Sequence, residues 1–446
     1  MNHFIKTIRN IFKIEELKSK ILYTLGFILI YRMGSYIVLP GVDPNQLEAL
    51  RKQTSDGLLG LLNVFTGGAF SHASIFGLGI MPYISASIVI QLLGVAIPYF
   101  QKLQKEGESG RRKINQLTRY FTVGICLAQG FAFAKNLQNQ LPLSAIAISP
   151  ALFPIFSMFI LATGTVFCMW LGEKITDKGL GNGISILIMT GIISRLPSAF
   201  LGEFSTALSI KGGGTVMFLA EVIIWLSVVV FTIAIIQATR RIPVQFAKRI
   251  VGNKQYGGVR QYIPLKINAA GVMPIIFAQA IMFIPITLAG FSDKLTGFVA
   301  TMSDFNGFWY NFSFATLIIL FTYFYTAIAV NPNQMAEDMK KNGGFIPGVK
   351  PGKKTSEFID GTISRITLPG SISLAVIAIL PVFARTIGIN SQFAQFFGGT
   401  SLLILVGVIL DTLQQIETHL DMRKYDGLMK SGRIKGRSST PAAVAS

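Results

Sequence analysis

Ionisable side chains inside apolar stretches are the first places in this chain where chemistry could occur, because a charge within a membrane is costly and usually functional. The residues of this kind, within long hydrophobic runs or near their ends, are Arg32, Arg195, Glu221, Asp411, Glu173 and Glu417. Each is isolated in the sequence, without the neighbouring Asp, Glu or His residues of a proton relay. Snorkelling to the interface or a lateral polar contact explains all of them except Arg32, which stays a functional candidate.

Residue types that catalysis or metal binding would need do not form a pattern. The three histidines, His3, His72 and His419, are far apart and lack ligand-like spacing. Both cysteines, Cys126 and Cys168, lie in apolar runs, which indicates small core residues and not a disulfide framework. No Gly-rich phosphate loop precedes a Lys-Ser or Lys-Thr pair. The sequence therefore predicts a protein that is not an enzyme and uses no metal or cofactor.

Composition and hydrophobic length predict a membrane protein. Of the 446 residues, 51% are hydrophobic and only 14% are charged, whereas soluble domains carry about a quarter charged residues. A spanning helix needs about 20 mostly apolar residues. Ten stretches approach this length: 21–38, 78–97, 117–135, 152–171, 184–200, 215–237, 270–289, 312–330, 366–384 and 400–417. The predicted fold class is therefore all-α and polytopic, with ten transmembrane helices.

The stretch 58–76 differs from these ten spans. It is apolar but short, and Gly60, Gly67, Gly68 and His72 interrupt it. This composition favours a short re-entrant or plugging segment over a helix that faces lipid.

The spans divide the chain into two halves of five, which is compatible with an inverted repeat. The predicted regions are an amphipathic surface segment 1–20, an N-terminal half 21–200 that includes 58–76, an external hinge loop 201–214, a C-terminal half 215–418 and a tail 419–446. Two long loops, 239–266 and 331–365, belong to the C-terminal half. The first contains seven basic and no acidic residues.

Lysine and arginine are distributed unevenly along the chain. The terminal segments and every second loop together carry 32 of the 40 basic residues, and the alternate loops carry 6. Cytoplasmic loops are enriched in Lys and Arg. The pattern therefore predicts a multi-pass protein of the inner (plasma) membrane with both termini in the cytoplasm.

The second span combines small polar residues with isoleucines. Residues 79–91 read GIMPYISASIVIQ. Ser and Ala at these positions are typical of helix packing in membranes. The same pattern also fits a helix that faces a water-filled funnel with an isoleucine rim, and spacing alone does not separate the two interpretations.

The sequence resembles bacterial members of the SecY family, from the first span to the tenth. The strings that carry the resemblance are 79–91, KEGESGRRK at 105–113, WLGEKITDKGLGNGIS at 170–185, PLKIN at 264–268, FIPG at 345–348 and GGTSLLI at 398–404. The resemblance implies two halves arranged as a clamshell, an hourglass pore and a lateral gate toward lipid. It also implies that 58–76 is a plug on the outer side of the pore.

A ring of aliphatic residues at the neck of the pore is the central feature that the resemblance implies. Its positions fall on Ile80, Ile84, Ile184, Ile188, Ile276 and Ile404, all isoleucine here. A hydrophobic constriction of this kind blocks water and ions by dewetting. The implied function is a channel that passes unfolded secretory polypeptides across the membrane and releases membrane segments sideways into lipid.

The resemblance also implies partners. SecE-type and SecG-type subunits are expected beside the channel, and the SecA motor ATPase or the ribosome, through its rRNA, is expected at the cytoplasmic loops. The loop positions that match the family are Arg240, Arg241, Lys248, Arg249 and Lys350. The family usually has Arg where this chain has Lys350, and Asn253 stands in a stretch that is often more basic. Lysine keeps the charge but not the bidentate geometry of arginine.

Three other functions are weighed against the channel. A secondary transporter of a small solute is the main alternative, but it would place coupling carboxylates near mid-membrane. An intramembrane protease would need a nucleophile with a base, an Asp pair or a metal site, and the sequence shows none. A structural scaffold for the ribosome would explain the basic loops but not the isoleucine ring.

Overall fold

A computed structural model of the chain describes residues 14–47, 63–142, 145–209, 214–246, 249–251, 254–256, 260–289, 304 and 307–430. Its helices are α1 Glu15–Gly34, α2 Met81–Ala96, α3 Pro98–Lys105, α4 Glu108–Gln140, α5 Phe153–Lys178, α6 Gly183–Ser209, α7 Gly214–Gln237, α8 Met273–Ala289, α9 Phe308–Ala329, α10 Pro332–Lys341, α11 Lys353–Thr386, α12 Ser391–Ala394 and α13 Gly399–Lys430. The strands are β1 Thr239–Phe246, β2 Arg249–Val251, β3 Lys254–Tyr256, β4 Arg260–Lys266 and β5 Gly344–Phe345.

Each of the ten predicted spans overlaps one helix of the structure. Among the described residues, six helices are long and apolar enough on their own to cross a membrane, and α2 with α3 makes a seventh although the two are bent by 103°. The other three predicted spans fall on α1, α4 and the shorter apolar helix α8. The polytopic helical fold is therefore confirmed, and lipid contact explains why large side chains such as Val216 and Val230 of α7 are 73% and 65% exposed.

Two of the predicted regions contain more helix than a loop or a tail implies. The loop 201–214 is mostly helical, because α6 continues to Ser209 through Pro197 and α7 begins at Gly214. The tail predicted from 419 begins as helix, since α13 extends to Lys430. Residues 1–13 and 58–62, which belong to the predicted surface segment and plug, lie outside the described residues.

Two of the buried clusters join several helices inside the bundle. The first joins α1, α5, α6 and α13 with residues 64–76, and the second joins α8, α9, α11 and α13. The halves, α1–α6 and α7–α13, meet along two edges. At one edge, called the seam here, α2 packs against α8; at the other, the hinge edge, α6 packs against α7 and α13.

The two loops that were predicted to be long contain secondary structure. Strands β1 and β4 pair antiparallel, from Thr239 opposite Lys266 to Gln245 opposite Arg260. The end of β1 also pairs with β5, which comes from the other loop. Apolar side chains from both loops form a small core that includes Ile242, Val244 and Ile346. The loops 239–266 and 331–365 therefore fold together as one unit.

Candidate functional site

The six isoleucines of the predicted ring come together. Ile80, Ile188 and Ile404 are buried, with exposed fractions of 5%, 5% and 1%, in a single hydrophobic cluster. Ile84, Ile184 and Ile276 are partly buried and pack against the same cluster. These residues come from α6, α8, α13 and the beginning of α2, so side chains distant in sequence belong to or pack against one hydrophobic cluster between the two halves.

The turn before α6 explains how two of these isoleucines are placed. The side-chain oxygen of Asn182 accepts hydrogen bonds from the backbone N–H groups of Ile184 and Ser185, at 3.1 and 3.4 Å. This cap starts the helix at Gly183. A side chain on Gly183 would collide with the backbone of Gly172 on α5. Gly172 and Gly183, two of the four glycines in the 170–185 motif, therefore let α5 and α6 approach closely at the start of α6.

A cavity of about 280 Å³ opens on one side of the isoleucines, toward the β1–β4 hairpin. Polar side chains contribute to its wall, among them Asn182, Ser185 and Asp411, and Ile276 forms part of its apolar boundary. Asp411 is exposed, which is how this charge within the predicted tenth span is accommodated. The cavity is a half-polar vestibule that borders the isoleucine cluster at Ile276.

The opposite side of the isoleucines is covered by the described part of the predicted plug, residues 63–76. It begins with one helical turn at 63–65 and continues as a series of turns. Phe65 and Thr66 surround, together with Ile80, Ile84 and Ile188, a void of only about 10 Å³. The order along α6, with Ser185 at the cavity, Ile188 in the cluster and Arg195 at the plug, shows that cavity and plug lie on opposite sides.

The two arginines predicted within spans both contact this segment. Arg32 donates from Nη1 to the carbonyl oxygen of Gly67 at 2.9 Å and from Nη2 to the hydroxyl of Tyr36 at 3.1 Å. Arg195 donates from Nη2 to the hydroxyl of Ser71 at 3.1 Å. Arg32, which the sequence kept as a functional candidate, thus contacts the predicted plug directly. For Arg195 the sequence favoured a simple lateral contact, and nothing in it indicated the partner.

The remaining ionisable candidates have local roles. Glu173 accepts two hydrogen bonds from Arg119, at 3.1 and 2.7 Å, which joins α4 to α5. Glu221 is buried beside Glu203 of α6, a carboxylate that sequence reasoning missed. Glu203 accepts a hydrogen bond from the backbone N–H of Asn390 at 2.9 Å. This bond crosses the hinge edge, and it joins two residues that are 187 positions apart in the sequence.

Cysteine and histidine residues do not assemble into a site in the described part of the chain. Cys126 and Cys168 are buried and free. The ring of His72 lies 5.3 Å from that of Tyr36, and His419 is 3.4 Å from the Lys20 amine. Among the described residues, no three His, Cys, Asp or Glu side chains are grouped as metal ligands would be.

The basic residues predicted to bind partners lie on the folded loop unit. Arg240 and Arg241 are exposed on β1, opposite Leu265 and Pro264 of β4. Lys350 is exposed, and its carbonyl oxygen accepts a hydrogen bond from Thr355 at 3.0 Å. Arg249 lies on β2, and Lys248 lies outside the described residues. Three of the five positions are thus exposed on the surface of the folded loop unit.

An ion pair stabilises the first turn of α11 at the edge of this surface. The Lys354 amine lies 2.9 Å from the Glu357 carboxylate. Their hydrogen bond lowers the pKa of Glu357 and raises the pKa of Lys354, since it favours the charged form of each group. Both side chains are exposed, so solvent screens the interaction.

Comparisons with known proteins identify the family. The SecY family model matches residues 74–413. The protein translocase subunit SecY of Streptomyces scabiei is 44% identical over 438 residues, with 94% of this chain and 98% of that protein covered. A solved protein-conducting channel has the same fold, at 17% identity and a TM-score of 0.61, with 90% of this chain and 92% of that chain covered. Sec61 of the canine ribosome–channel complex aligns with a TM-score of 0.57 at 16% identity, with 90% and 92% covered. On this sequence identity over nearly its whole length, the chain belongs to the SecY family.

Proposed function

We propose that this chain, a protein-conducting channel subunit of a protein translocase, conducts unfolded polypeptides through the isoleucine cluster. The observation that carries the proposal is geometric. Six isoleucines from four distant helices converge between a polar cavity on one side and residues 63–76 on the other.

A constriction of isoleucines suits this task. An apolar neck repels water and ions, and it has no fixed charge that would retain a passing chain. Isoleucine side chains also adapt to residues of different width. The plug 58–76 closes the far side of the neck at rest, and the cavity receives the polypeptide before it enters.

Lateral release of membrane segments is proposed to occur at the seam between α2 and α8. Ile88 of α2 belongs to the buried cluster of the C-terminal half, so the contact there is between apolar side chains. Lipid tails are as apolar as these side chains. Separation of the two helices therefore exposes no polar backbone to lipid, and a hydrophobic segment can leave by this route.

The orientation and partners complete the proposal. The hairpin unit and both termini lie in the cytoplasm, because the basic residues concentrate there. Arg240, Arg241 and Lys350 present positive charge toward the SecA motor or the phosphate-rich ribosome surface. SecE-type and SecG-type subunits cover part of the exposed helices. The halves 21–200 and 215–418 rotate relative to each other about the hinge edge. The protein acts in an inner membrane, and the chain itself catalyses no reaction.

The test replaces three ring residues together, as Ile84→Ser, Ile188→Ser and Ile404→Ser. Serine would let water into the neck, so we expect ion conductance to rise and a reporter with a defective signal sequence to be exported. A matched control places Ile155→Ser, Ile223→Ser and Ile372→Ser on three helices at lipid-exposed positions that are 47–56% accessible. An expressed ring variant that stays as tight and as selective as the control would refute the proposal.

A further inference from the structure

Two positively charged side chains from different spans reach the same short turn of the plug. Arg32 lies in the last turn of α1 and donates to the carbonyl oxygen of Gly67. Arg195 lies in the middle of α6 and donates to the hydroxyl of Ser71, only four residues further along the plug. Hydrogen bonds from a charged donor are stronger than neutral ones. The turn 67–71 is thus held from two sides.

The plug turn is itself closed by hydrogen bonds. The backbone N–H of Ser71 donates to the side-chain oxygen of Asn63 at 3.0 Å, and the hydroxyl of Ser71 donates to the carbonyl oxygen of Gly68 at 3.0 Å. This leaves a lone pair of the Ser71 hydroxyl for Arg195. A turn that is braced internally moves as one piece, so the arginines position more than the two atoms they touch.

Glycines permit the close approach that both contacts need. Gly67 has a φ of +63°, and a side chain there would meet Nη1 of Arg32 at 2.6 Å and the backbone of Gly191 at 2.9 Å. A side chain on Gly191 of α6 would meet the carbonyl oxygen of Phe65 at 2.6 Å. The plug backbone therefore lies directly against α6, within reach of Arg195.

We propose that Arg32 and Arg195 are positioning residues that hold the plug in the closed channel. The proposal deepens the proposed function, since it assumes that residues 58–76 seal the neck. When the plug leaves, the two guanidinium groups exchange protein acceptors for water in the opened pore, so neither charge is stranded in lipid. Each contact thus favours the closed state by the difference between a partly buried, charge-assisted bond and a hydrated one.

The test measures ion conductance and export of a defective-signal reporter for Arg32→Gln, Arg195→Gln and both together, in the full-length protein within its membrane complex. Loss of one contact is expected to raise the open fraction of resting channels about tenfold, and loss of both about a hundredfold, because the contacts are separate. Arg365→Gln on α11 is the matched control, since Arg365 is exposed. It should leave both readouts unchanged.

Ser71→Ala removes one acceptor of Arg195 without altering a span, which keeps the proposal testable if an arginine variant fails to fold. It should leak, though no more than Arg195→Gln does, and the two changes together should be no worse than Arg195→Gln alone. Arg32→Lys, which keeps a donor for Gly67, should recover part of the seal.

Deletion of residues 63–73 separates this proposal from the plug assumption. Supporting results are a leak in the deletion variant and no further leak when Arg32→Gln or Arg195→Gln is added to it. If the deletion variant conducts ions while well-expressed arginine variants do not, the proposed role of the arginines is overturned and the sealing role of the plug is kept. A tight deletion would overturn the sealing role of the plug itself, and an added leak in the deletion background would show that the arginines act elsewhere.

Discussion

The two edges at which the halves meet are built differently. At the hinge edge, directional hydrogen bonds cross between the halves near both ends of α6. The N–H of Gly181 donates to the side chain of Gln415 at 2.9 Å, and the N–H of Asn390 donates to Glu203 at 2.9 Å. At the seam, in the part of the chain that the structure describes, Ile84 and Ile88 pack with apolar side chains of the C-terminal half.

This difference has a mechanical consequence. A hydrogen bond between buried groups fixes distance and angle, and its loss leaves a polar group without a partner. Apolar contacts in a membrane can be replaced by lipid tails at little cost. Hydrogen bonds therefore cross one edge and apolar contacts cross the other, which supports the proposed clamshell with a lateral opening.

The largest effect is expected from shortening one isoleucine inside a half. Ile377 of α11 is fully buried in the C-terminal half, so Ile377→Ala should lower the free energy of unfolding by about 2–5 kcal/mol. Ile88→Ala at the seam should cost less, because lipid can fill the space, yet it should let weak signal sequences open the channel. Thermal unfolding and export of a defective-signal reporter measure the two quantities. Equal stability losses with unchanged export would contradict the distinction between seam and core.

Sequence patterns predicted the helices well and the loops poorly. Each span was visible because a membrane requires about 20 apolar residues in a row. The hairpin was missed, although Ile242, Val244 and Phe246 alternate with other residues as a strand with one buried face does. Two helices continue past the predicted spans, to Ser209 and Lys430, because helices extend beyond the apolar stretch where local sequence permits.

The spacing of residues along the sequence could not predict which distant residues meet in the fold. The spacing of Ile80 and Ile84 indicates one helix face but not which other helices that face meets. Arg195 and Glu203 resemble ordinary interfacial charges in the sequence, because their partners lie 124 and 187 residues away. For the ring, only the resemblance to the family gave the positions, and its role as a pore stays a prediction.

A second prediction concerns the buried bond of the hinge edge. Glu203 is only 4% exposed, so Glu203→Ala would leave the N–H of Asn390 without this acceptor and should lower the free energy of unfolding by about 1–3 kcal/mol. Glu203→Gln keeps an oxygen acceptor and removes a carboxylate beside Glu221, so it should stay closer to the parent protein. Thermal unfolding of the two variants measures the difference. Alanine and glutamine variants of equal stability would mean that this bond does not tie the halves.

The smallest effect is expected at the other end of the hinge edge. The bond from Gly181 to Gln415 is exposed, and water can replace either partner when it is lost. Gln415→Ala should therefore lower the free energy of unfolding by only about 0.5–1.5 kcal/mol. Gln414→Ala, one residue earlier on α13, is the matched control and should change stability less. Amide hydrogen exchange at Gly181 is the most direct measurement, because its N–H is the donor: it should exchange faster in Gln415→Ala and at the parent rate in Gln414→Ala. Equal protection in both variants would show that the cytoplasmic end of the hinge edge is held by packing of α6 against α13 and not by this hydrogen bond.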